Sequence, residues 1–245
     1  MHLLDGVFLQ ELTIQNCSLY ELPEHFNNLT EELIKLDLSH NYLRFVPFAT
    51  KRKESSVFKN LETMDLSYNQ LEDSASVMCT AALMPRLRDM ILDYNFPLDI
   101  CNSNYCNDQS TKPKEQLWMV FPELKNISAS FTNTSRLCFG LMKSASLVVF
   151  NISYSNVSTL SLQELPAFTA PNFTMDLREN NITDIEFFDK NAYDAMNSRF
   201  AKHNTKTTVL ANVKHLQCDC QYLWLQKTLN DISNLELQDI WFCNC

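Results

Sequence analysis

A repeated phrase constrains the fold of this chain more than any other feature. The residues LDLSHNYL at 36–43 are echoed by MDLSYNQL at 64–71, twenty-eight positions later. The pattern L-x-x-L-x-L-x-x-N/C-x-L fits both phrases and recurs along the chain. Good copies begin at Leu9, Leu33, Leu61 and Leu87, weaker copies at Leu124, Leu147 and Asn172, and a degenerate copy at Lys206. These copies are numbered here as repeats one to eight, and the residues of each copy as positions one to eleven.

Each repeat predicts a short strand followed by a turn. Leu36 and Leu38, at positions four and six, alternate with polar residues as in a strand with one buried face. Position nine is the turn residue, and we expect its side chain to point inward and satisfy backbone groups that the bend leaves unpaired. It is Asn41, Asn69, Asn95 and Asn180 in four repeats, and Cys17 in repeat one. Because one repeat cannot bury its apolar side alone, the repeats are predicted to stack into a solenoid with a parallel concave sheet.

These repeats, together with CDCQYLWLQKTL at 218–229, resemble the extracellular leucine-rich repeat proteins with a cysteine-rich C-terminal cap, such as Toll-type receptor ectodomains. The resemblance covers nearly the whole chain. It implies an α/β solenoid: a horseshoe with a short-stranded parallel concave sheet, an irregular convex side and a disulfide-stapled C-terminal cap. We expect leucine-rich repeats in 1–205, with an insertion at about 99–123, and the degenerate repeat with its cap in 206–245. The family's N-terminal cap is missing, so we expect a fragment or the C-terminal part of a longer horseshoe.

Composition excludes several classes of function. There are 29 acidic and 20 basic residues, a net charge of -9, and no basic runs that would bind nucleic acid or an anionic membrane. With only two glycines, the chain has neither a dinucleotide-binding turn nor a phosphate-binding loop. No histidine or serine stands in a recognisable catalytic motif, so neither an enzyme nor a cofactor is predicted. No apolar run approaches the roughly 18 residues of a membrane span, and no signal peptide is expected within this chain.

Two independent counts favour the secretory pathway. The motif Asn-x-Ser/Thr occurs eight times, whereas composition predicts about 3.5 by chance. Its asparagines, the predicted glycosylation sites, are Asn16, Asn28, Asn126, Asn133, Asn151, Asn156, Asn172 and Asn181. The nine cysteines are typical of an oxidising compartment. We therefore expect an extracellular glycoprotein, either secreted or the ectodomain of a membrane protein.

Most of the cysteines are predicted to form disulfides. The family resemblance implies that Cys218 pairs with Cys243 and Cys220 with Cys245. Four more fall in or beside the insertion and allow three pairings: Cys79, Cys101, Cys106 and Cys138. Cys17 is expected to be a buried turn residue without a partner.

A zinc site is the alternative for the terminal thiols. The two C-x-C pairs supply four thiolates, which would suit a cytosolic thiol-rich or zinc-binding inhibitor. Structural zinc favours the wider C-x2-4-C spacing, and an oxidising compartment competes for the thiols. A second alternative is an enzyme whose site lies in the Cys101–Cys106 loop.

The register also predicts a binding surface. Positions three, five and seven should face out of the concave sheet and present an acidic strip, formed by Asp37, Asp65, Asp89 and Asp93 with Ile91 among them. Position eight carries a ring in five consecutive repeats: His40, Tyr68, Tyr94, Phe131 and Tyr154. The sequons of repeats five to seven would crowd that end with sugars. We therefore expect a partner with a basic, partly apolar face to dock on the first four repeats, unless the rings only stack on one another and the carboxylates are only solvated.

The predicted function is recognition without catalysis. Similarity to receptors and to secreted immune and adhesion proteins implies a module that binds a protein ligand or co-receptor through its concave face and edge. The alternative within this class is a scaffold that assembles with another leucine-rich repeat chain through repeat one, whose apolar residues would otherwise face water.

Overall fold

The computed structural model describes residues 8–22, 32–46, 58–82, 84–101, 121–137, 146–161, 170, 172–186, 206–213 and 235–240. Its strands are β1 (Glu11–Thr13), β2 (Lys35–Asp37), β3 (Thr63–Asp65), β4 (Asp89–Ile91), β5 (Asn126–Ser128), β6 (Val149–Asn151), β7 (Thr159–Ser161), β8 (Phe173–Asp176), β9 (Asp184–Glu186), β10 (Thr207–Val213) and β11 (Leu235–Ile240). One helix, α1 (Ser74–Ala82), lies between β3 and β4.

Nine of these strands form one parallel sheet, in the order β1-β2-β3-β4-β5-β6-β8-β10-β11. Each strand therefore pairs with the strand of the next repeat, which is the arrangement of a solenoid. The strands β7 and β9 form a second, two-stranded parallel sheet. The predicted solenoid with a short-stranded parallel sheet and little helix is confirmed.

The predicted register holds across the sheet. Position-three residues pair with position-three residues of the next repeat, from Glu11 opposite Lys35 to Val149 opposite Thr174. The degenerate repeat from Lys206 joins in the same register, since Thr208 pairs with Thr174. Strand side chains alternate, so position four points into the core while positions three and five lie on the opposite face.

The core is built from the same positions in every repeat. In repeat two, positions one, four, six and eleven are fully buried: Leu33, Leu36, Leu38 and Leu43. Each buried leucine stabilises the fold by about 1.5 to 3 kcal/mol, but only because the next repeat covers it. Repeat one differs, since its Leu12 and Ile14 are only partly buried.

The turn asparagines connect neighbouring repeats, as predicted. Nδ2 of Asn69 donates to the carbonyls of Leu38 and Leu66, both at 3.0 Å, and its Oδ1 accepts the N–H of Leu43 at 3.0 Å. Asn41 and Asn95 make the equivalent bonds in their own repeats. Each amide thus pairs buried backbone groups of two successive turns.

Hydroxyl groups take over this role in repeats five and six. Thr132 Oγ1 donates to the Ala129 carbonyl at 2.9 Å and lies 3.1 Å from Ser155 Oγ. The amide pattern resumes with Asn180, which donates to the Ile152 and Leu177 carbonyls. A hydroxyl is shorter than an amide and makes fewer bonds at the same place.

The expectation that Cys17 is buried is wrong. Its thiol is free, as predicted, but exposed, and Sγ contacts the Gln15 carbonyl at 3.1 Å. The Cys17 N–H is accepted by Asn41 Oδ1 at 3.1 Å, so the asparagine of the next repeat satisfies this turn. Because Asn41 already pairs the backbone of this turn, the Cys17 thiol is not needed as a turn residue in the core and lies outside it.

Cys101 is disulfide-bonded and buried, in agreement with its predicted pairing in a bridge. Its partner is not among the described side chains. The strand β11 lies inside the region predicted to be the cap, and the sequence pattern did not predict it. Several predicted sites lie outside the described residues: Asn28, Cys106, Cys138, Cys218, Cys220, Cys243 and Cys245, together with most of the insertion at 99–123.

Candidate protein-binding face

Position eight has an unusual backbone conformation in seven repeats. Its φ lies between 52° and 57° in all of them, although none of these residues is glycine. The N–H groups explain the turn: Tyr68 donates to the Asp93 carbonyl at 2.8 Å and Tyr94 to the Ser130 carbonyl at 2.9 Å. Left-handed backbone costs an L-residue roughly 1 to 2 kcal/mol, and β-branched residues fit it worst. No β-branched residue occurs at position eight of these seven repeats, which is the one signal in the sequence that indicates this conformation.

The position-eight rings form a continuous stack, called here the ring ladder: His40, Tyr68, Tyr94, Phe131 and Tyr154. Successive ring centroids are 4.2, 4.1, 4.2 and 4.4 Å apart, and successive planes differ by 11° or less. These separations are slightly shorter than the strand spacing of about 4.7 to 4.9 Å from which the stack was predicted. The inner rings therefore cover each other's faces.

The edges of the ring ladder remain open to solvent. Tyr68, Tyr94 and Tyr154 are 43%, 40% and 51% exposed. His40 is also exposed, and Phe131 is half-buried. Stacking removes the ring faces from water and leaves the edges and hydroxyl groups at the surface, where a partner can contact them.

The Tyr68 phenol is influenced by its neighbour in the ring ladder. The Tyr94 side chain, acting as a hydrogen-bond partner, raises the pKa of Tyr68 above its ordinary value of 10.0. Desolvation and the negative charges of Tyr94 and Asp93 act in the same direction. The Tyr68 phenol is therefore neutral at physiological pH, with a hydroxyl that donates or accepts.

The acidic strip has a structural role that the sequence analysis did not predict. Asp37 Oδ1 accepts the Ser39 N–H at 3.0 Å, and Asp65 Oδ1 accepts the Ser67 N–H at 2.9 Å. Asp93 Oδ1 accepts the Ser130 N–H at 2.7 Å from the next repeat. One oxygen of each of these carboxylates thus satisfies a backbone group at the end of a strand.

The strip nevertheless remains negative. Asp37, Asp65, Asp89 and Asp93 are half-buried, and none forms a salt bridge with a residue that the structure describes. Asp89 accepts a hydrogen bond from the neutral Asn126 side chain. Ile91 is half-buried among these carboxylates, so the strip combines charge with one apolar side chain.

Repeat seven contrasts with the strip. Asp176 pairs there with Arg178 at 2.6 Å, which neutralises the carboxylate at position five. The repeats between carry Ser128 and Asn151 at that position. The negative charge of the concave face is therefore concentrated in the first four repeats.

Neither a metal site nor a membrane-spanning helix is found among the described residues. Within the described ranges, no three His, Cys, Asp or Glu side chains are grouped closely enough to ligate a metal ion. No described helix combines the length and the apolar character that crossing a membrane requires.

Comparison with known proteins supports the assignment of the fold. No protein-family model and no curated protein sequence matches the chain at a significant level. A chain in the structure of the glycosylated Drosophila Toll–Spatzle complex, described as a molecular hub in development and innate immunity, is similar at 22% identity with a TM-score of 0.64. The alignment covers 96% of the present chain but only 30% of that one.

Human 5T4, also named Wnt-activated inhibitory factor 1 or trophoblast glycoprotein, is similar at 14% identity with a TM-score of 0.54. That alignment covers 93% of the present chain and 78% of the 5T4 chain. At these identities the likeness concerns the backbone, and it agrees with the stacked parallel strands and the asparagine turns described above. The chain therefore has the leucine-rich repeat fold.

Proposed function

We propose that this chain is a non-catalytic, extracellular recognition module, which binds a protein partner through the ring ladder and the acidic strip of repeats two to four. The observation that carries the proposal is the stack of five rings in register with exposed edges, next to carboxylates that form no salt bridge with a described residue. Fold alone does not define a function, whereas these side chains form a surface that a protein partner can contact.

The ring ladder is suited to protein recognition. Tyrosine is enriched in protein interfaces because it combines a large apolar area with a polar tip. Tyr68 and Tyr94 are each held between two parallel rings. Their rotamer freedom is already restricted before binding, so little entropy is lost when a partner contacts them.

The acidic strip indicates the chemistry of the partner. The concave face of repeats one to four carries Glu11, Asp37, Asp65, Asp89 and Asp93 and a single cation, Lys35. A partner with lysine or arginine side chains around an apolar centre would complement both the carboxylates and Ile91. Such charges also increase the association rate at low ionic strength.

An extracellular setting is supported by three features of the chain. Cys101 is disulfide-bonded, the sequons exceed the chance expectation, and all seven sequon asparagines in the described residues are at least partly exposed. The similar structures carry related descriptions, one in a glycosylated form and one as a glycoprotein. A receptor, immune or adhesion role is part of the proposal, with a protein ligand or co-receptor as the partner.

The test begins with capture of the partner. A tagged, secreted chain is crosslinked to cell-surface and secreted proteins, and the captured protein is then titrated against purified variants. Asp89→Lys should weaken binding by about tenfold or more and reduce its salt dependence, since close charge pairs across an interface contribute about 1.5 kcal/mol or more.

Val149→Lys is the matched control for this test. Val149 occupies the same position three in repeat six and is half-buried, like Asp89. The substitution Val149→Lys places the same ammonium group outside the proposed contact, so the affinity for the partner should stay within about twofold of that of the unmodified chain. Equal losses in the two variants, or none in Asp89→Lys, would refute a contact on repeats two to four.

A second candidate function is supported by repeat one. Leu9, Leu12, Ile14, Leu19 and Leu22 are only partly buried, and Phe8 is 82% exposed. Another leucine-rich repeat chain that stacked its own strand on β1 would cover this surface. Sedimentation should then reveal concentration-dependent association that Leu12→Glu abolishes, and a monomer at every concentration would exclude it.

A further inference from the structure

The structure divides the sequons into two groups. Seven of the eight asparagines lie in the described residues. Asn126 and Asn151 stand on the concave face in β5 and β6, and Asn133, Asn156 and Asn181 occupy position ten of three consecutive repeats. Asn16 and Asn172 are exposed but belong to neither group. The two groups have opposite environments.

The position-ten asparagines are free to carry a sugar. Asn133, Asn156 and Asn181 are exposed, and none of their side chains forms a hydrogen bond with a described residue. The backbone is anchored at two of them, since Asn133 N–H donates to the Leu98 carbonyl at 2.9 Å and Asn156 N–H to the Thr134 carbonyl at 3.0 Å. A substituent on Nδ2 there breaks no hydrogen bond with a described residue.

The concave asparagines are held at the amide itself. Nδ2 of Asn126 donates to Asp89 Oδ1. Asn151 is held at both ends, because Oδ1 accepts the Ser153 N–H at 3.0 Å and Nδ2 donates to Ser128 Oγ at 3.1 Å. A glycosylated Nδ2 keeps only one N–H, and its sugar would stand on the concave face against side chains of strands about 4.7 to 4.9 Å away, which would strain these bonds. Since N-glycans are added before folding is complete, chains modified there would fold less well.

We propose that Asn133, Asn156 and Asn181 carry N-linked glycans in a row along the position-ten edge, and that Asn126 and Asn151 remain unmodified. This inference rests on the proposed extracellular setting. The glycan row begins two residues after the rings of Phe131 and Tyr154, so it covers the ring ladder in repeats five and six. The ladder in repeats two to four, where position ten is Tyr42, Gln70 or Phe96, stays open.

Site mapping tests the proposal directly. The chain is secreted from human cells behind an added signal sequence and is deglycosylated with peptide N-glycosidase in ¹⁸O-water, which converts each occupied asparagine to labelled aspartate. Tandem mass spectrometry should find the label at Asn133, Asn156 and Asn181 and unlabelled asparagine at Asn126 and Asn151. Label at a concave asparagine, or its absence from the position-ten residues, would overturn the proposal.

Hydroxyl-radical labelling tests the shielding of the ladder. Asn156→Gln should remove one glycan from the intact mass and raise the labelling of Tyr154, with no change at Tyr68. Asn126→Gln is the matched control and should change neither the mass by a glycan nor the labelling. Unchanged labelling of Tyr154 after loss of the Asn156 glycan would refute the shielding.

These outcomes are independent of partner binding. Both measurements use the secreted chain alone. A glycan map that contradicts the proposed sites therefore does not affect the test of partner binding with Asp89→Lys and Val149→Lys. Conversely, failure to capture a partner leaves the glycan map intact.

Discussion

Repeats two to four and repeats five to seven share one backbone register but differ in what their side chains do. In the first group the turns are closed by buried asparagines, and the concave face carries carboxylates that pair with no cation in the described part of the chain. In the second group, hydroxyls close two turns, Arg178 neutralises Asp176, and sequons line the edge. The difference indicates that the solenoid fixes where side chains stand, while the residue at each position decides whether that place is structural, shielded or open to a partner.

The largest expected effect concerns the turns. Asn69→Ala should lower the free energy of unfolding by about 3 to 5 kcal/mol, because it leaves buried groups of Leu38, Leu43 and Leu66 unpaired. Thr132→Val should cost only about 1 to 2 kcal/mol, because its hydroxyl bonds one carbonyl and two neighbouring hydroxyls. Urea denaturation measures both.

Gln70→Ala, at an exposed position beside Asn69, is the control for the turn comparison and should change stability by less than about 0.5 kcal/mol. Equal losses in Asn69→Ala and Thr132→Val would contradict the distinction between amide and hydroxyl turns.

A smaller effect is expected in the ring ladder. Tyr94 stacks on both Tyr68 and Phe131, whereas Tyr154 stacks on Phe131 alone among the described rings. Each stacked pair contributes about 0.5 to 1.5 kcal/mol, so Tyr94→Ala should destabilise the chain by about 2 kcal/mol and Tyr154→Ala by about 1 kcal/mol. Thermal unfolding measures the order of the two variants, and the reverse order would show that the rings do not stabilise one another.

The smallest effect is electrostatic and lies within repeats three and four. The Tyr94 hydroxyl raises the pKa of Tyr68 above 10.0, so Tyr94→Phe should lower the pKa of Tyr68 toward that value. A raised folded-state pKa means that the interaction stabilises the fold fully below pH 10.0 and is lost as the pH rises through the folded-state pKa. Ultraviolet absorbance of tyrosinate follows the titration, with Tyr154→Phe as the control. An unchanged Tyr68 pKa in Tyr94→Phe would contradict an influence of the Tyr94 hydroxyl on Tyr68.

The strand register was predictable from sequence because two periodic signals agree. Alternation at Leu36 and Leu38 defines the buried face, and Asn41 fixes where each strand must end. The degenerate repeat from Lys206 could be aligned by the alternation alone, since Val209 and Ala211 are buried at positions four and six while position nine is Lys214. In contrast, LELQDI at 235–240 lies beyond the last copy of the repeat, between the two cysteine pairs of the predicted cap, so the pattern did not mark β11.

The chemistry of the face was only partly predictable. Sequence placed His40, Tyr68 and Tyr94 in one stripe, but the left-handed backbone that brings their rings together follows from hydrogen bonds between repeats. The phrase D-L-S in repeats two and three contains the acceptor and the donor of the strand-end bond of Asp37 and Asp65. That local pattern could have identified their structural role. The exposure of Cys17 could not have been predicted, because it depends on Asn41 of the next repeat.

The contact surface is tested most directly by hydroxyl-radical footprinting of the chain with and without its captured partner. Tyr68, Tyr94 and Tyr154 are each 40% to 51% exposed in the chain alone, so all three report on the ladder within one experiment. Partner binding should protect Tyr68 and Tyr94 and leave the labelling of Tyr154 unchanged. Protection of Tyr154 without protection of Tyr68 and Tyr94 would contradict a partner site on repeats two to four.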